Sequence, residues 1–349
     1  MNKKAFLKNA FFRIRREKMR KFLLTIMTSL SLISTTDVLA ADVQQCYRIN
    51  RETQSNAITQ GNVVMLDVTR RHMNRNQIIS CIRTIDPQKF QFVQLHLNDD
   101  ENFAVKSTLL HNERNKNTLS KHDLREIVQF ANRKGITIIP DIDVPAHDTA
   151  LIDDLKRCNS PWLKKNVVMN NSTLDYTNPD TLNMVKQIYS EILPAFSHQQ
   201  YRYVMLGGDE VPGNGNYAMQ FSDFINDLNK YVNRKGFNAI MWNDCLNPIV
   251  LKGLSSNITV DYWTKSDANT TAQQIADHGN PVKNANYQNS YYNTVDLNDN
   301  WLRNKKATDL ANQQGSKMLC LWGSNSPQEK QISNQKVISY IDQVQQDMH

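Results

Sequence analysis

Two adjacent carboxylates, Asp209 and Glu210, follow the apolar run 203–206 and two glycines. Ordinary retaining glycoside hydrolysis needs two carboxyl groups about 5–5.5 Å apart across the scissile bond. Neighbouring strand residues point to opposite faces, so this pair cannot easily flank one sugar. Adjacency suits another arrangement, in which one residue protonates the leaving oxygen and the other orients a nucleophile carried by the substrate, such as a 2-acetamido group. We also expect ionised Asp209 to raise the pKa of Glu210 and keep it protonated near neutral pH.

Further polar and aromatic residues stand where other apolar, strand-like runs end. These residues are Asp67, Arg70, Asn98, Asp99, Asp100, Glu101, Asp141, Asp143, His147, Trp242, Asn243, Asp244, Trp263, Asn289, Tyr291, Tyr292 and Trp322. Aromatic rings pack on the C–H faces of a sugar, while charged and amide groups bind its hydroxyls. Three of the five tryptophans belong to this set, which predicts a carbohydrate site.

Eight strand-like runs alternate with helical patterns, which predicts a single (β/α)8 barrel, a TIM barrel of class α/β, over residues 61–349. The runs are Val63–Asp67, Phe92–Leu97, Thr137–Asp143, Tyr203–Gly207, Ala239–Trp242, Ile258–Trp263, Val282–Tyr287 and Met318–Trp322. The clearest helices are Lys121–Lys134, Asp180–Phe196, Phe221–Arg234 and Ser333–Met348. In such a barrel the chemistry lies at the C-terminal ends of the strands, where the polar residues collect.

Residues 1–40 hold nine basic and two acidic residues, which accounts for the whole formal net charge of +7. The neutral remainder gives no case for nucleic-acid binding. Within this segment the apolar run 22–33 is too short to span a bilayer and fits a signal peptide cut before Ala41. We expect a secreted or periplasmic protein with a lead segment over 41–60 and no membrane span after processing. An uncleaved anchor is the alternative.

The five cysteines show no metal-ligand spacing, and no cofactor or metal is expected. Cys245 and Cys320 adjoin apolar runs and are interpreted as small buried side chains. An odd count leaves at least one thiol free, although one or two disulfides remain possible in an oxidising compartment.

The ordered motifs resemble glycoside hydrolase family 20 along nearly the whole mature chain. They are Leu66–Arg70, His96–Asp99, Ile139–His147, Gly207–Glu210, Met241–Asp244, Tyr262–Trp263, Asn289–Tyr292 and Leu321–Gly323. The resemblance implies a β-N-acetylglucosaminidase that acts on a polysaccharide containing N-acetylglucosamine, with the β-1,6-linked biofilm polymer as the expected substrate. It also implies retention through an oxazolinium intermediate.

The same resemblance implies roles for individual residues. Glu210 matches the general acid and later base, and Asp209 matches the carboxylate that orients the acetamido N–H. Tyr292 matches the tyrosine that bonds the acetamido oxygen, with Tyr291 as the alternative if the alignment slips by one. The expected substrate-binding residues are Arg70, Asp99, Asp143, His147, Trp242, Asp244, Trp263 and Trp322. Of these, Asp143 and His147 match a pair that supports the acid.

Two positions depart from the family pattern. Asp141 stands where a glutamate is usual, and Ser324 stands where a glutamate normally binds sugar hydroxyls. A charged hydrogen bond of that kind contributes about 1.5–3 kcal/mol, so its loss predicts weaker binding.

Two other functions compete with hydrolysis. The chain could be a non-catalytic or weakly active polysaccharide-binding protein on a degenerate hydrolase barrel, for which Ser324 is the support. Alternatively, His96, Asp99, Asp100 and His147 could ligate a metal in a hydrolase or deacetylase, since imidazole and carboxylate groups bind divalent metals.

Overall fold

The sheet consists of nine parallel strands in a computed structural model that describes residues 57–265, 270–324, 326–329 and 332–348. The strands are β1 (Val63–Asp67), β2 (Phe92–His96), β3 (Thr137–Val144), β4 (Tyr203–Gly207), β5 (Asn238–Trp242), β6 (Thr259–Tyr262), β7 (Val282–Asn284), β8 (Tyr291–Asn293) and β9 (Met318–Trp322). The predicted signal peptide, most of the lead segment and Cys46 lie outside the described residues.

Helices connect successive strands and cover the outside of the sheet. They are α1 (Arg75–Thr84), α2 (Lys121–Arg133), α3 (Thr149–Arg157), α4 (Pro179–Ile192), α5 (Ala218–Arg234), α6 (Pro248–Gly253), α7 (Ala272–Asp277), α8 (Tyr287–Ser290), α9 (Asn300–Ala311) and α10 (Asn334–Asp347). Short 3₁₀ turns occupy Pro161–Lys165, Leu193–Phe196 and Thr294–Asn298. All of the described residues belong to one unit.

The strand order is β7-β6-β5-β4-β3-β2-β1-β9-β8. The sheet is curled, because Tyr291 of β8 at one end of this order stacks on Trp263, which follows β6 near the other end. Side chains alternate between two cores along each strand: in β1, Met65 packs inside the curled sheet and Leu66 packs against the helices. Both faces are therefore buried, which explains the continuous apolar runs in the sequence.

The predicted α/β barrel in one domain is confirmed, with one strand more than expected. Three-residue β8 was missed; it pairs with β9 and precedes it in the chain. The seventh predicted run is strand only over Val282–Asn284, since Tyr287 already begins α8.

Local signals explain the clearest helix. Ser120 caps α2 through a capping box with Asp123, and Leu124, Ile127 and Val128 bury the face that the sequence marks as apolar. The helix ends one residue before Lys134, and Gly135 follows at φ +75°. Such helices fix the strands and so fix the loops at their C-terminal ends.

Cys81, Cys158, Cys245 and Cys320 are free thiols, and all but Cys158 are buried. This agrees with the interpretation of Cys245 and Cys320 as packed side chains. Within the described part of the chain, no helix has the length and apolar character that crossing a bilayer requires.

Candidate active site

Strand β4 leads to Asp209 and Glu210 through a turn that requires glycine. Gly207 and Gly208 both adopt a φ of +84°, in the left-handed region that glycine enters freely. A Cβ atom on Gly207 would lie 1.5 Å from Oδ1 of Asp143, near the end of β3. The missing side chain therefore allows the two strand ends to approach each other closely.

Asp143 and Asp209 form a carboxyl–carboxylate pair between these strand ends. Asp143 is 1% exposed, and the Asp209 side chain is 16% exposed. Burial, and then the charge of Asp209, raises the pKa of Asp143 well above its usual range. Burial also raises the pKa of Asp209, whereas protonated His147 and the hydrogen bond with Asp143 oppose that rise. The proton therefore belongs to Asp143, and Asp209 is the anion.

His147 connects three carboxylates. Its Nε2 atom lies 3.4 Å from Glu210 Oε2 and 3.9 Å from Asp209 Oδ2, and its Nδ1 atom lies 3.4 Å from Asp100 Oδ2. Burial alone would lower the pKa of His147, but the hydrogen bond to Glu210 and the surrounding carboxylate charges raise it to about 10. His147 is therefore an imidazolium that donates a hydrogen bond to Glu210.

The prediction that Asp209 raises the pKa of Glu210 is wrong. The hydrogen bond from His147 lowers the pKa of Glu210, because a positive imidazolium stabilises its ionised form. The Glu210 side chain is 60% exposed, so burial only partly opposes this effect. The acid is thus mostly ionised at neutral pH in the free protein and reaches its protonated form at acidic pH.

Asp244 anchors both the acid and one aromatic wall. Its carboxylate accepts hydrogen bonds from the backbone N–H of Glu210 at 2.7 Å and from Trp263 Nε1 at 3.0 Å. Burial, and then the charge of Asp209, raises the pKa of Asp244 to about 7. The residue therefore fixes the orientation of Glu210 relative to Trp263.

Three tryptophans gather around Tyr291. Its ring is stacked on Trp263, with centroids 5.6 Å apart and planes 10° from parallel. Trp242 approaches the same ring edge-on at 6.3 Å, and Trp322 approaches at 5.7 Å with a 60° tilt. Burial raises the pKa of the Tyr291 hydroxyl well above its usual range, so it remains a hydrogen-bond donor. These rings form an apolar wall suited to an acetamido methyl group.

Arg70 provides a guanidinium beside this wall. It bonds Asp67 at 3.0 Å and Asp99 at 2.6 Å, and its Nε atom lies 3.3 Å from Glu101. It also lies over the Trp322 ring, 5.3 Å from the centroid. Although burial opposes it, these carboxylates raise the pKa of Arg70. The guanidinium is thus held rigidly where its remaining N–H groups can bind hydroxyls.

His96 braces the same cluster from the interior. Its two ring nitrogens lie 2.9 Å from Asp141 and 2.6 Å from Asp99, and despite burial these carboxylates raise its pKa well above the usual value. Both His96 and His147 are therefore protonated and donate to carboxylates. Of the four residues predicted as possible metal ligands, Asp99, Asp100 and His147 bring ligand atoms within 4.8 Å of one another, and His96 is not part of that group.

A comparison with known protein families decides the classification. The model described as "Glycosyl hydrolase family 20, catalytic domain" matches residues 63–344. The chain belongs to glycosyl hydrolase family 20. The match spans every strand and the whole cluster described above.

Solved structures of this family share the fold. Dispersin B aligns with a TM-score of 0.69 and 23% identity over 82% of this chain and 99% of that chain. The GH20 exo-β-N-acetylglucosaminidase from Vibrio harveyi aligns with a TM-score of 0.55 and 21% identity over 67% of this chain and 42% of that chain. Both identities are low, so these likenesses concern the fold alone.

Curated relatives are longer than the aligned region. The β-hexosaminidase subunit A1 of Dictyostelium discoideum is 27% identical over 202 residues, which cover 52% of this chain and 37% of the relative. The β-hexosaminidase subunit β of Mus musculus is 22% identical over 295 residues, covering 74% and 53%. The chain thus spans about a third to a half of the length of these family members.

The structure places Tyr291, the alternative site tyrosine, in the aromatic cluster, and it does not bring Tyr292 there. Tyr292 is 2% exposed and points into the outer core, where its ring lies 5.5 Å from Tyr340. Its hydroxyl lies 2.6 Å from the carbonyl oxygens of Asn289 and Lys306. Strand alternation forces this separation, because consecutive residues of β8 face opposite sides.

Four of the residues expected to bind substrate are buried. Asp99, Asp143 and Trp242 are each 1% exposed, and Asp244 is 7% exposed. The carboxylates hold Arg70, Asp209 and Glu210 in place through the contacts above, and Trp242 packs behind Tyr291. By contrast, Arg70, His147, Trp263 and Trp322 retain accessible surface.

Ser324 lies near Arg70 but does not replace the family's carboxylate. Its hydroxyl is 2.8 Å from that of Ser326 and accepts from the Ser326 backbone N–H at 3.3 Å. The neighbouring Gly323 donates its N–H to Asp67 at 3.0 Å, which keeps this turn against the arginine cluster. Ser324 is therefore a turn residue without charge.

Asp100 and Glu101 were not assigned family roles from sequence, yet both belong to the site. The carboxylate of Asp100 contacts the His147 ring, and the partly exposed carboxylate of Glu101 contacts the Arg70 guanidinium. Their signal was their position directly after Asp99 at the end of β2. That position predicts nearness to the site but cannot tell which cation each carboxylate contacts.

Proposed function

We propose that the protein is a β-N-acetylglucosaminidase in which the substrate's own acetamido group is the nucleophile. The observation that carries the proposal is that the two adjacent carboxylates lie in different surroundings. Asp209 is an anion paired with Asp143 near the aromatic wall, whereas Glu210 extends into solvent beside His147. This arrangement provides one orienting anion and one accessible acid, as substrate-assisted hydrolysis requires.

The first step forms an oxazolinium ion. Asp209 accepts a hydrogen bond from the acetamido N–H, and the Tyr291 hydroxyl donates to the acetamido oxygen. That oxygen attacks C1 while the glycosidic C1–O bond breaks, and protonated Glu210 transfers its proton to the departing oxygen. The carboxylate of Asp209 balances the positive charge that develops on the ring.

The second step regenerates the protein. Glu210, now ionised, takes a proton from water as the water oxygen bonds to C1 and the oxazolinium ring opens. Two displacements at C1 return the β configuration, so the reaction is retaining. Arg70 and Trp322 hold the sugar hydroxyls and ring during both steps, and no metal or cofactor is required for them.

Polymeric β-1,6-linked N-acetylglucosamine is the substrate we propose, processed outside the cytoplasm after export directed by residues 1–40. The support is the sequence resemblance and the apolar run of that N-terminal segment. Product analysis on β-1,6- and β-1,4-linked oligomers tests the linkage. Faster cleavage of the β-1,4 series would contradict the proposed β-1,6 linkage preference. N-terminal sequencing of the exported protein separately tests whether the signal peptide is cut before Ala41.

A binding protein without turnover is the second candidate, favoured by the uncharged Ser324 turn. The two candidates differ in one experiment: release of product from a chromogenic N-acetylglucosaminide by wild type and by Glu210→Gln. We expect turnover that the substitution abolishes. Binding of oligomers with equal, background release in both proteins would establish the second candidate instead.

A further inference from the structure

The pairing between β4 and β5 stops before the segment that carries the proposed acid. Its last pair joins Met205 to Ile240, five residues before Glu210. Glu210 itself has a φ of +49°, in the left-handed region that residues with a side chain seldom adopt. Such a backbone conformation persists only where the surrounding structure holds it. Contacts outside the β4–β5 ladder must therefore fix the backbone of the acid.

Two consecutive residues after β5 accept two consecutive N–H groups of this segment. The N–H of Glu210 donates to Oδ2 of Asp244 at 2.7 Å. The next N–H, that of Val211, donates to Sγ of Cys245 at 3.3 Å. The thiol in turn donates to the same Oδ2 atom of Asp244 at 3.7 Å. These three contacts form one connected unit, the amide clamp, on the backbone of the acid.

Burial strengthens the part of the amide clamp that Cys245 supplies. Cys245 is 3% exposed and Val211 is 4% exposed, so the N–H···S contact is shielded from water. Burial, and then the charge of Asp244, raises the pKa of the thiol, so the sulfur keeps the proton that it donates. A side chain without a polar atom at this position would leave the buried N–H of Val211 without its acceptor, which destabilises that conformation.

Other elements hold the chain immediately after the amide clamp. The Tyr176 hydroxyl donates to the carbonyl oxygen of Pro212 at 3.0 Å, and the Asn247 side chain donates to that of Asn214 at 3.5 Å. The glycine turn at the end of β4 lies on the other side of the clamp. Glu210 therefore projects from a short segment that is fixed before and after it, and the clamp acts on the two amides at and next to the acid.

We propose that Cys245 is a positioning residue for the general acid, acting through the backbone of Val211 and the carboxylate of Asp244. The inference rests on the proposed function, because it concerns the residue that protonates the leaving oxygen. The buried thiol keeps the Glu210 carboxyl within reach of that oxygen, which means about 2.6–3.2 Å between heavy atoms. A displacement of about 1 Å at a catalytic group can lower the rate a hundredfold.

Two leaving groups of different basicity test this role. The methyl β-glycoside of N-acetylglucosamine must be protonated to release methanol, whereas the 2,4-dinitrophenyl β-glycoside releases a stable phenolate without an acid. We expect Cys245→Ala to lower kcat/KM about tenfold to a hundredfold for the methyl glycoside and less than about twofold for the dinitrophenyl glycoside. Cys245→Ser keeps a donor and an acceptor, so it should restore most of the activity, and its remaining loss should also be larger for the methyl glycoside.

Cys81→Ala is the matched control. Cys81 is a buried free thiol on α1, where its Sγ atom contacts Oδ1 of Asn334 at 3.8 Å. The substitution removes the same sulfur atom from a buried position and should lower the free energy of unfolding about as much as Cys245→Ala does. We expect kcat/KM to stay unchanged for both glycosides in this control. Urea unfolding of each variant shows that folded proteins are compared.

The outcomes separate the positioning role from the proposed function. Wild type that hydrolyses neither glycoside contradicts the proposed function, and the role of Cys245 falls with it. Active wild type with equal losses on the two glycosides in Cys245→Ala overturns the positioning role alone, since the thiol would then support the fold and not the acid. Unchanged kinetics in Cys245→Ala, or a serine variant as impaired as the alanine variant, also overturn it.

Discussion

His147 Nε2 lies 3.4 Å from Oε2 of Glu210, and this contact sets the protonation state of the proposed acid. The imidazolium lowers the pKa of Glu210, while burial raises that of Asp209. The reactive form needs Glu210 protonated and Asp209 ionised, so activity is lost as the pH rises above the pKa of Glu210. We therefore expect kcat/KM to peak at acidic pH.

The variant His147→Asn tests this coupling. Asparagine tolerates the φ of +58° at this position but carries no charge. The pKa of Glu210 should rise, and the basic limb of the kcat/KM profile should move to higher pH. Asp100→Asn, which leaves the imidazole present, should produce a smaller shift in the same profile. A basic limb that stays in place in His147→Asn contradicts the assignment.

Tyr291 and Tyr292 should respond differently to loss of the hydroxyl. We expect Tyr291→Phe to lower kcat/KM by about tenfold to a thousandfold, because a donor to the acetamido oxygen is removed. Tyr292→Phe should keep the kinetics and lower the free energy of unfolding by about 1 kcal/mol, since a buried hydrogen bond is lost. Both variants are measured by steady-state kinetics and by urea unfolding. A loss of kcat/KM in Tyr292→Phe but not in Tyr291→Phe would make Tyr292 the tyrosine that bonds the acetamido oxygen.

Gly207 has a matched control in Gly135. Both have positive φ, but a Cβ at Gly135 meets nothing within 4 Å, whereas one at Gly207 collides with Asp143. Gly135→Ala should cost about 1 kcal/mol of unfolding free energy from its backbone alone. Gly207→Ala should cost more than about 4 kcal/mol and lower kcat, because the pair with Asp209 is displaced. Equal costs would show that the close approach is unimportant.

Arg70 should contribute to stability as well as to binding. Arg70→Met leaves Asp67, Asp99 and Glu101 without their cation, and we expect a loss of about 3–5 kcal/mol in unfolding free energy. Arg75→Met breaks an exposed pair with Glu126 and should cost less than about 1 kcal/mol. Chemical denaturation compares the two. A similar small loss in both variants would mean that the buried cluster does not depend on its arginine.

The sequence predicts the scaffold better than the fine geometry. Eight of the nine strands follow from apolar runs, and the C-terminal ends of parallel strands necessarily meet at one face. Strand β8 was not predicted, because it has only three residues and follows α8 directly. Its shortness also hid the alternation that turns Tyr291 inward and Tyr292 outward.

Contacts between residues that are far apart in the sequence were the second feature that the sequence could not predict. The sequence places Asp100, His147 and Glu210 at three different strand ends, and only the fold shows that an imidazolium contacts both carboxylates. The expectation for the pKa of Glu210 used the nearest residue in sequence, Asp209. The nearest charge in space is the one that counts, because electrostatic effects fall with distance.

The most direct test of the central claim compares hydrolysis of matched aryl glycosides that carry a 2-acetamido, a 2-trifluoroacetamido or a 2-hydroxyl group. Fluorination withdraws electrons from the amide oxygen, so a substrate that supplies its own nucleophile must react more slowly. We predict a steep fall in kcat/KM from the acetamido to the trifluoroacetamido substrate and no hydrolysis of the 2-hydroxyl compound. Similar rates for all three would contradict the account.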